Sequence, residues 1–220
     1  MDSLIFTMDK GVNRALHRLE SGTVTITEPN GKHSVAAGLK TPLQVTIDGH
    51  CGYYAAGMNQ LADVTINGNA GVGVAENMMS GSVRVNGNAS QSAGATAHGG
   101  LLVITGDAAA RCGISMKGAD IVVGGSIGHM SAFMAQAGRL VVRGDAGEAL
   151  GDSVYEARIY VKGAVASLGA DCVAKQMGEE HHKELRDLLD RAGFPDDDTA
   201  DYTRYGSARQ LYHFHAGNEY

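Results

Sequence analysis

The chain has 220 residues, 44% of them hydrophobic but only 5% aromatic, with 31 glycines and no tryptophan. It is long enough for one large or two small domains with a sizeable core, and its profile disfavours aromatic-rich packing in favour of small side chains where backbones run close. Three prolines exclude a collagen-like or proline-rich disordered chain, and a net charge of −6 without a basic stripe argues against nucleic acid and, more weakly, against anionic membranes.

The N-terminal stretch MDSLIFTMDKGVNRALHRLE has no apolar run of signal-peptide or membrane-spanning length, so a cytoplasmic protein without a transmembrane span is expected. Within it Val12, Ala15, Leu16 and Leu19 share one helical face, with Asp9 as a candidate N-cap. A helix there would cover the end of the stack that follows. Next, GTVTITE (22–28) keeps an apolar pair, Val24 and Ile26, but lacks a corner glycine. Residues 1–40 therefore read as a cap and an irregular first coil.

From here an internal period governs the chain. Gly49, Gly68, Gly87, Gly106, Gly125, Gly144 and Gly163 stand 19 residues apart without an insertion. Two residues before each is Ile or Val, and four before is Val, Leu or Ile. Such spacing, mostly of β-branched residues, marks a half-buried strand. Three residues after come Gly52, Gly71, Ser90, Ala109, Gly128, Gly147 and Ala166; seven after come Ala56, Ala75, Gly94, Gly113, Ala132, Gly151 and Ala170.

Such a unit is too short for βαβ, which needs about 30 residues. The economical solution is an all-β fold, a right-handed parallel β-helix of about seven coils over residues 41–173. Like residues stack about 4.8 Å apart, so the coils extend roughly 30 Å, with apolar columns inside. On this reading the glycine supplies a positive φ at a corner, and the small residues after it let opposite walls approach. A left-handed acyltransferase solenoid built of hexapeptides would repeat at roughly 18 residues, which is not the period here.

Downstream, GEEHHKELRDLLDRAG is an amphipathic helix with Leu185, Leu188 and Leu189 inward, Gly193 as its stop and Pro195 beyond. The acidic loop PDDDTADY and the segment YGSARQLYHFHAGNEY follow. Residues 174–220 carry ten acidic and six basic side chains and read as a helical and extended tail.

Reactive groups are sparse. Cys51, Cys112 and Cys172 form no CxxC pair and are odd in number, so buried reduced thiols are expected. His50, His98 and His129 fall at different positions of the repeat, His181 and His182 are adjacent on a helix, and His213 and His215 flank Phe214. None has a carboxylate or cysteine at ligand spacing. GNAGVG (68–73) resembles a nucleotide loop, but it recurs as a coil corner and no helix follows it. RGD at 143–145 is a turn of the repeat. No catalytic, cofactor-binding or metal residue is assigned.

Gly-x-x-Gly-x-x-x-Gly in 19-residue turns over 41–173 resembles the GXGXG β-helix domain of the glutamate synthase large subunit, which also occurs as a free-standing chain and in one component of formylmethanofuran dehydrogenase. The flanks, VNRALHRL and EEHHKELRDLLDRAG…YTRYGSARQLYHF, resemble the stand-alone subunits, above all those of N-methylglutamate synthase. The resemblance implies a non-catalytic scaffold in an enzyme complex that makes N-methylglutamate and ammonia from glutamate and methylamine. It implies no cofactor on this chain, a class II glutaminase-like partner, and a synthase partner carrying FMN and an iron–sulfur cluster. The alternatives are a β-helix subunit of a glutamate synthase or other amidotransferase, the formylmethanofuran dehydrogenase component, and a free-standing partner-binding solenoid. Partner contacts are expected on outward coil residues and the tail, at Arg204, Tyr205, Arg209 and Tyr212, because Tyr and Arg are favoured at interface hot spots.

Overall fold

The computed structural model describes residues 4–209. Strands form where apolar residues stand two apart: β1 (Leu4–Thr7), β2 (Gly22–Thr27), β3 (Leu43–Asp48), β4 (Asp63–Ile66), β5 (Ser82–Val85), β6 (Leu101–Ile104), β7 (Lys117–Val123), β8 (Ala137–Val142) and β9 (Arg158–Val161). They lie side by side in chain order and every neighbouring pair is parallel. Like residues register on like, so Val45, Val64, Val83, Leu102, Ile121, Leu140 and Ile159 make one buried column. The fold is a parallel β-solenoid of about eight turns, the irregular first coil included. Further inward columns complete the interior, among them Asn59, Met78, Ala97, Met116, Ala135 and Val154, which the sequence reading did not single out.

The corner glycines serve a purpose other than the expected one. Gly49 alone among the seven has a left-handed φ, at 140°. At the other six the constraint is the turn beneath. A Cβ on Gly68 would lie 2.7 Å from the carbonyl carbon and oxygen of Gly49, and one on Gly163 would lie 2.5 Å from the Gly144 oxygen. With successive turns about 4.8 Å apart, backbone sits directly on backbone and leaves no room for a methyl group. Three positions on, the glycines meet a similar limit, since a Cβ on Gly71 would lie 2.5 Å from the Gly52 carbonyl carbon, whereas Ser90, Ala109 and Ala166 carry a Cβ at that position. Those seven positions on do face the opposite wall: a Cβ on Gly94 would lie 2.5 Å from Ile121 Cδ1.

Left-handed geometry falls instead at the fifth, seventh and ninth residues after the glycine, as at Tyr54 (61°), Ala56 (52°) and Met58 (54°), then again at Met130, Ala132 and Met134. The alternation turns successive amides toward opposite neighbours. Tyr54 N–H donates to the Val72 carbonyl of the following turn, Ala56 N–H to Val35 of the preceding one, and Met58 N–H to Glu76 of the following one. Each left-handed residue costs roughly 1–2 kcal/mol, and a hydrogen bond to a neighbouring turn offsets it.

A polar ladder fastens the outer corner. His50 Nδ1 accepts the Asn69 N–H, Asn69 Oδ1 that of Asn88, and Asn88 Oδ1 that of Asp107. Asp107, Ser126 and Asp145 continue it, each side chain accepting the N–H of its counterpart one turn on, up to Ala164. Asp145 of the RGD sequence belongs to this ladder.

Both ends are closed by non-repeating chain. Helix α1 (Val12–Leu16) sends Val12 and Leu16 into the interior. Asn13 ties it to the first turn by donating to the Ser34 carbonyl and accepting from the Ala36 N–H. Asp9 is not its N-cap: the helix starts from Gly11 without a side-chain cap, and Asp9 Oδ1 instead accepts the Gly11 N–H. At the other end β10 (Cys172–Lys175) does not pair with β9. β11 (Thr203–Ser207) inserts between the two, antiparallel to both.

Helix α2 (Glu179–Ala192) adds a second layer outside the solenoid. The outward column Thr46, Thr65, Arg84 becomes Val103, Val122, Val141, Tyr160 halfway along, and Leu185, Leu188, Leu189 and Ala192 of α2 cover its apolar part. The helix runs back along the stack. Glu184 pairs with Arg158 of β9 at 2.5 Å, Arg191 lies 3.6 Å from Asp120 of β7, and the Ala192 carbonyl accepts from Arg84 of β5 at 3.0 Å. Gly193, at φ 84°, stops the helix as its position after the last leucine predicts.

Candidate interaction surface

Two charge clusters fasten the outer layer. Asp197, buried after the helix, accepts from Arg143 Nε at 2.6 Å, from Arg143 Nη2 at 3.0 Å, from Lys162 Nζ at 3.3 Å and from the Tyr202 hydroxyl at 2.7 Å. The Arg143 hydrogen bonds hold its carboxyl far below the usual carboxylate range. Arg143 also stacks over the Phe194 ring, 4.2 Å from its centre. Asp120 receives Arg139 bidentately at 2.6 and 2.7 Å. Both clusters tie the outer layer to the solenoid, Asp197 to the residues just after β8 and β9, and Arg139 to Glu184 of α2 at 3.4 Å.

The three cysteines are buried and unpaired. Burial pushes the thiols of Cys51 and Cys112 up to about 12 and that of Cys172 to about 11. Thiolates are the nucleophilic form, so these groups are inert. Five histidines hold backbone and loops through ring nitrogens, His17, His33 and His50 in the first turns among them; His181 Nδ1 accepts the Gly178 N–H at the start of α2, and His182 meets Thr199 Oγ1 at 3.0 Å. Among the described residues no three His, Cys, Asp or Glu side chains come together to hold a metal ion. His213 and His215 lie outside the described residues.

The most distinctive open surface is a groove of about 450 Å³ at the C-terminal end, lined by Tyr155–Arg158, Lys175, Arg204, Gly206, Ser207 and Arg209. Two of the four sequence-expected contact residues line it. Arg204 donates from Nε and Nη2 to the Gln176 carbonyl, and Arg209 pairs with Asp171. Tyr205 points the other way, into the solenoid, where it packs against the interior core. Tyr212 lies outside the described residues. Arg158 and Lys175 were missed by the sequence reading. Arg158 falls at an outward position of its coil, a signal that was available; Lys175 joins them only through the β10–β11 pairing.

Among the described residues no helix is long and apolar enough to cross a membrane. Fold and surface together define a capped β-solenoid with an open groove at its C-terminal end. No family model matches the chain. Protein GlxC of Rhizobium meliloti (strain 1021) is 57% identical over 210 residues, which make up 94% of this chain and 92% of that protein. The chain belongs to the GlxC family.

Proposed function

We propose that the chain is a non-catalytic, cytoplasmic scaffold subunit of a multi-subunit glutamate synthase-like flavoenzyme, with N-methylglutamate synthase as the particular enzyme. The observation that carries this reading is the cross-bracing of the turns: each is tied to the next by strand pairing, by the alternating amides and by the polar ladder. A stack braced in this way suits a part that fixes the distance between other proteins. The resemblance of the repeat and its flanks to glutamate synthase-like subunits supplies the enzyme class. The partners would be a class II glutaminase-like chain and a synthase chain bearing FMN and an iron–sulfur cluster, with Arg204, Arg209 and Tyr212 contributing to the contact and Tyr205 fixing their strand to the core.

The test is recovery of the tagged chain from its native cells, with mass spectrometry of what accompanies it. A glutaminase-like chain and a flavin-bearing chain are expected, and the 220-residue chain alone should show no flavin absorbance and no turnover of glutamate with methylamine. Flavin on the isolated chain, or turnover by it alone, would overturn the scaffold role. Accompaniment by molybdenum or tungsten proteins would move the assignment to formylmethanofuran dehydrogenase.

A further inference from the structure

We propose that the groove at the C-terminal end binds an extended acidic segment of a partner polypeptide. The proposal rests on the scaffold reading only in taking the occupant to be a partner subunit. The groove exists because of where the second layer stops. Helix α2 begins at Glu179 and runs back toward β5, leaving the outward face of the last strands open beside it. Gly206 makes its floor: an added Cβ there would make only ordinary contacts, 3.8 Å from the Ala157 carbonyl oxygen and from Lys175 Cγ, so a side chain fits without a clash at its first carbon.

Four cations surround that floor, on β9, β11, β10 and the residues just after β11. Arg158 and Arg209 are held in place by carboxylates, Glu184 and Asp171. Arg204 is held by the neutral Gln176 carbonyl, which orients the guanidinium without cancelling its charge. Lys175 has no ion pair among the described residues. Among those residues Glu156 is the one acid on the lining. The field of these cations reaches the neighbouring helix: burial first, then Arg204, lowers the His181 imidazole from its ordinary value, with Arg158 adding to it.

Geometry favours a chain over a small anion. The cations sit on adjacent strands spaced about 4.8 Å apart, so they span roughly 10 Å, wider than one carboxylate and enough to take two alternate side chains of an extended peptide, which stand roughly 7 Å apart. Tyr155, 42% exposed, adds an apolar surface at the rim of the groove. A carboxylate on a guanidinium gives the strong, oriented hydrogen bonds that such a segment needs.

The probe is a fluorescein-labelled deca-glutamate peptide titrated into the full chain and followed by anisotropy, with a deca-lysine peptide as control. Binding is expected for the acidic peptide alone, weakening about tenfold between roughly 50 and 300 mM salt as the charges are screened. Lys175→Glu should weaken it about fivefold or more, since it reverses one of four cations. Gly206→Leu should weaken it by filling the floor without changing charge. Circular dichroism melts of both variants serve as folding controls, and either variant alone is sufficient if the other fails to fold. No binding, equal binding by a folded variant, or competition by free citrate as effective per mole as unlabelled peptide would overturn the proposal. Peptide binding without partners in the co-purification would sink the scaffold reading while leaving the groove; partners that co-purify equally with Lys175→Glu and a silent peptide assay would do the reverse.

Discussion

At Gly68 the atoms nearest to an added Cβ are the backbone of Gly49, which cannot swing aside as a side chain would. Gly68→Ala should therefore lose about 2–3 kcal/mol in a denaturant titration, the range for overpacking a rigid site. The left-handed positions behave differently. Met134, at φ 52°, is half exposed, and asparagine tolerates that geometry better than methionine. Met134→Asn should leave stability unchanged or raise it by about 0.5 kcal/mol, whereas a β-branched residue there should lower it. The thiols give a third check. With Cys51 and Cys112 pushed up to about 12, iodoacetamide should label neither in the native protein at about pH 8 and both after unfolding in urea.

Helix α2 is held by apolar packing on one side and charge clasps at its edges, and the two are separable. Leu188→Ala removes buried packing in the outer layer and should cost about 2–5 kcal/mol, read as proteolytic release of the segment that follows Gly178. Asp197 makes the outer layer sensitive to acid. Its folded carboxyl is held far below the usual range, first by Arg143, so its stabilisation is complete above the ordinary carboxylate value of about 4 and fades as pH falls beneath it. His181 pushes in the same direction, since an imidazole lowered in the folded state takes up protons more readily once unfolded, at pH values of about 6.5 and below. Asp197→Asn should cost about 3 kcal/mol near neutral pH and flatten the acid limb of a stability–pH curve.

The strands, the repeat and α2 were legible because each writes its period into side chains over many residues. The role of the glycines was not, since a glycine demanded by the turn beneath looks identical to one demanded by a corner. The outer apolar layer was visible in principle in LLVI, DIVV, RLVV and RIYV, where alternation gives way to unbroken runs. β11 was beyond reach, because its pairing with Ile159 and Tyr160 joins residues more than forty apart. Missing that strand also hid the alternation that turns Tyr205 inward and leaves Arg204 outward.

For the molecule as a whole, one half of the stack carries two layers and the other half one. Amide hydrogen exchange should accordingly be slower in β7–β9, beneath α2, than in β3 and β4, whose outward Thr46 and Thr65 lack that cover. A uniform exchange profile along the stack would contradict this. The polar ladder has a further consequence for the evolution of such a protein. Every link is made between equivalent positions one repeat apart and points the same way, so duplicating residues 87–105 should add a link without disturbing the others. The molecule is then a ruler marked in single divisions: a gene can lengthen or shorten it only by whole units, and whatever is mounted at its two extremities moves apart or together in increments of about 4.8 Å.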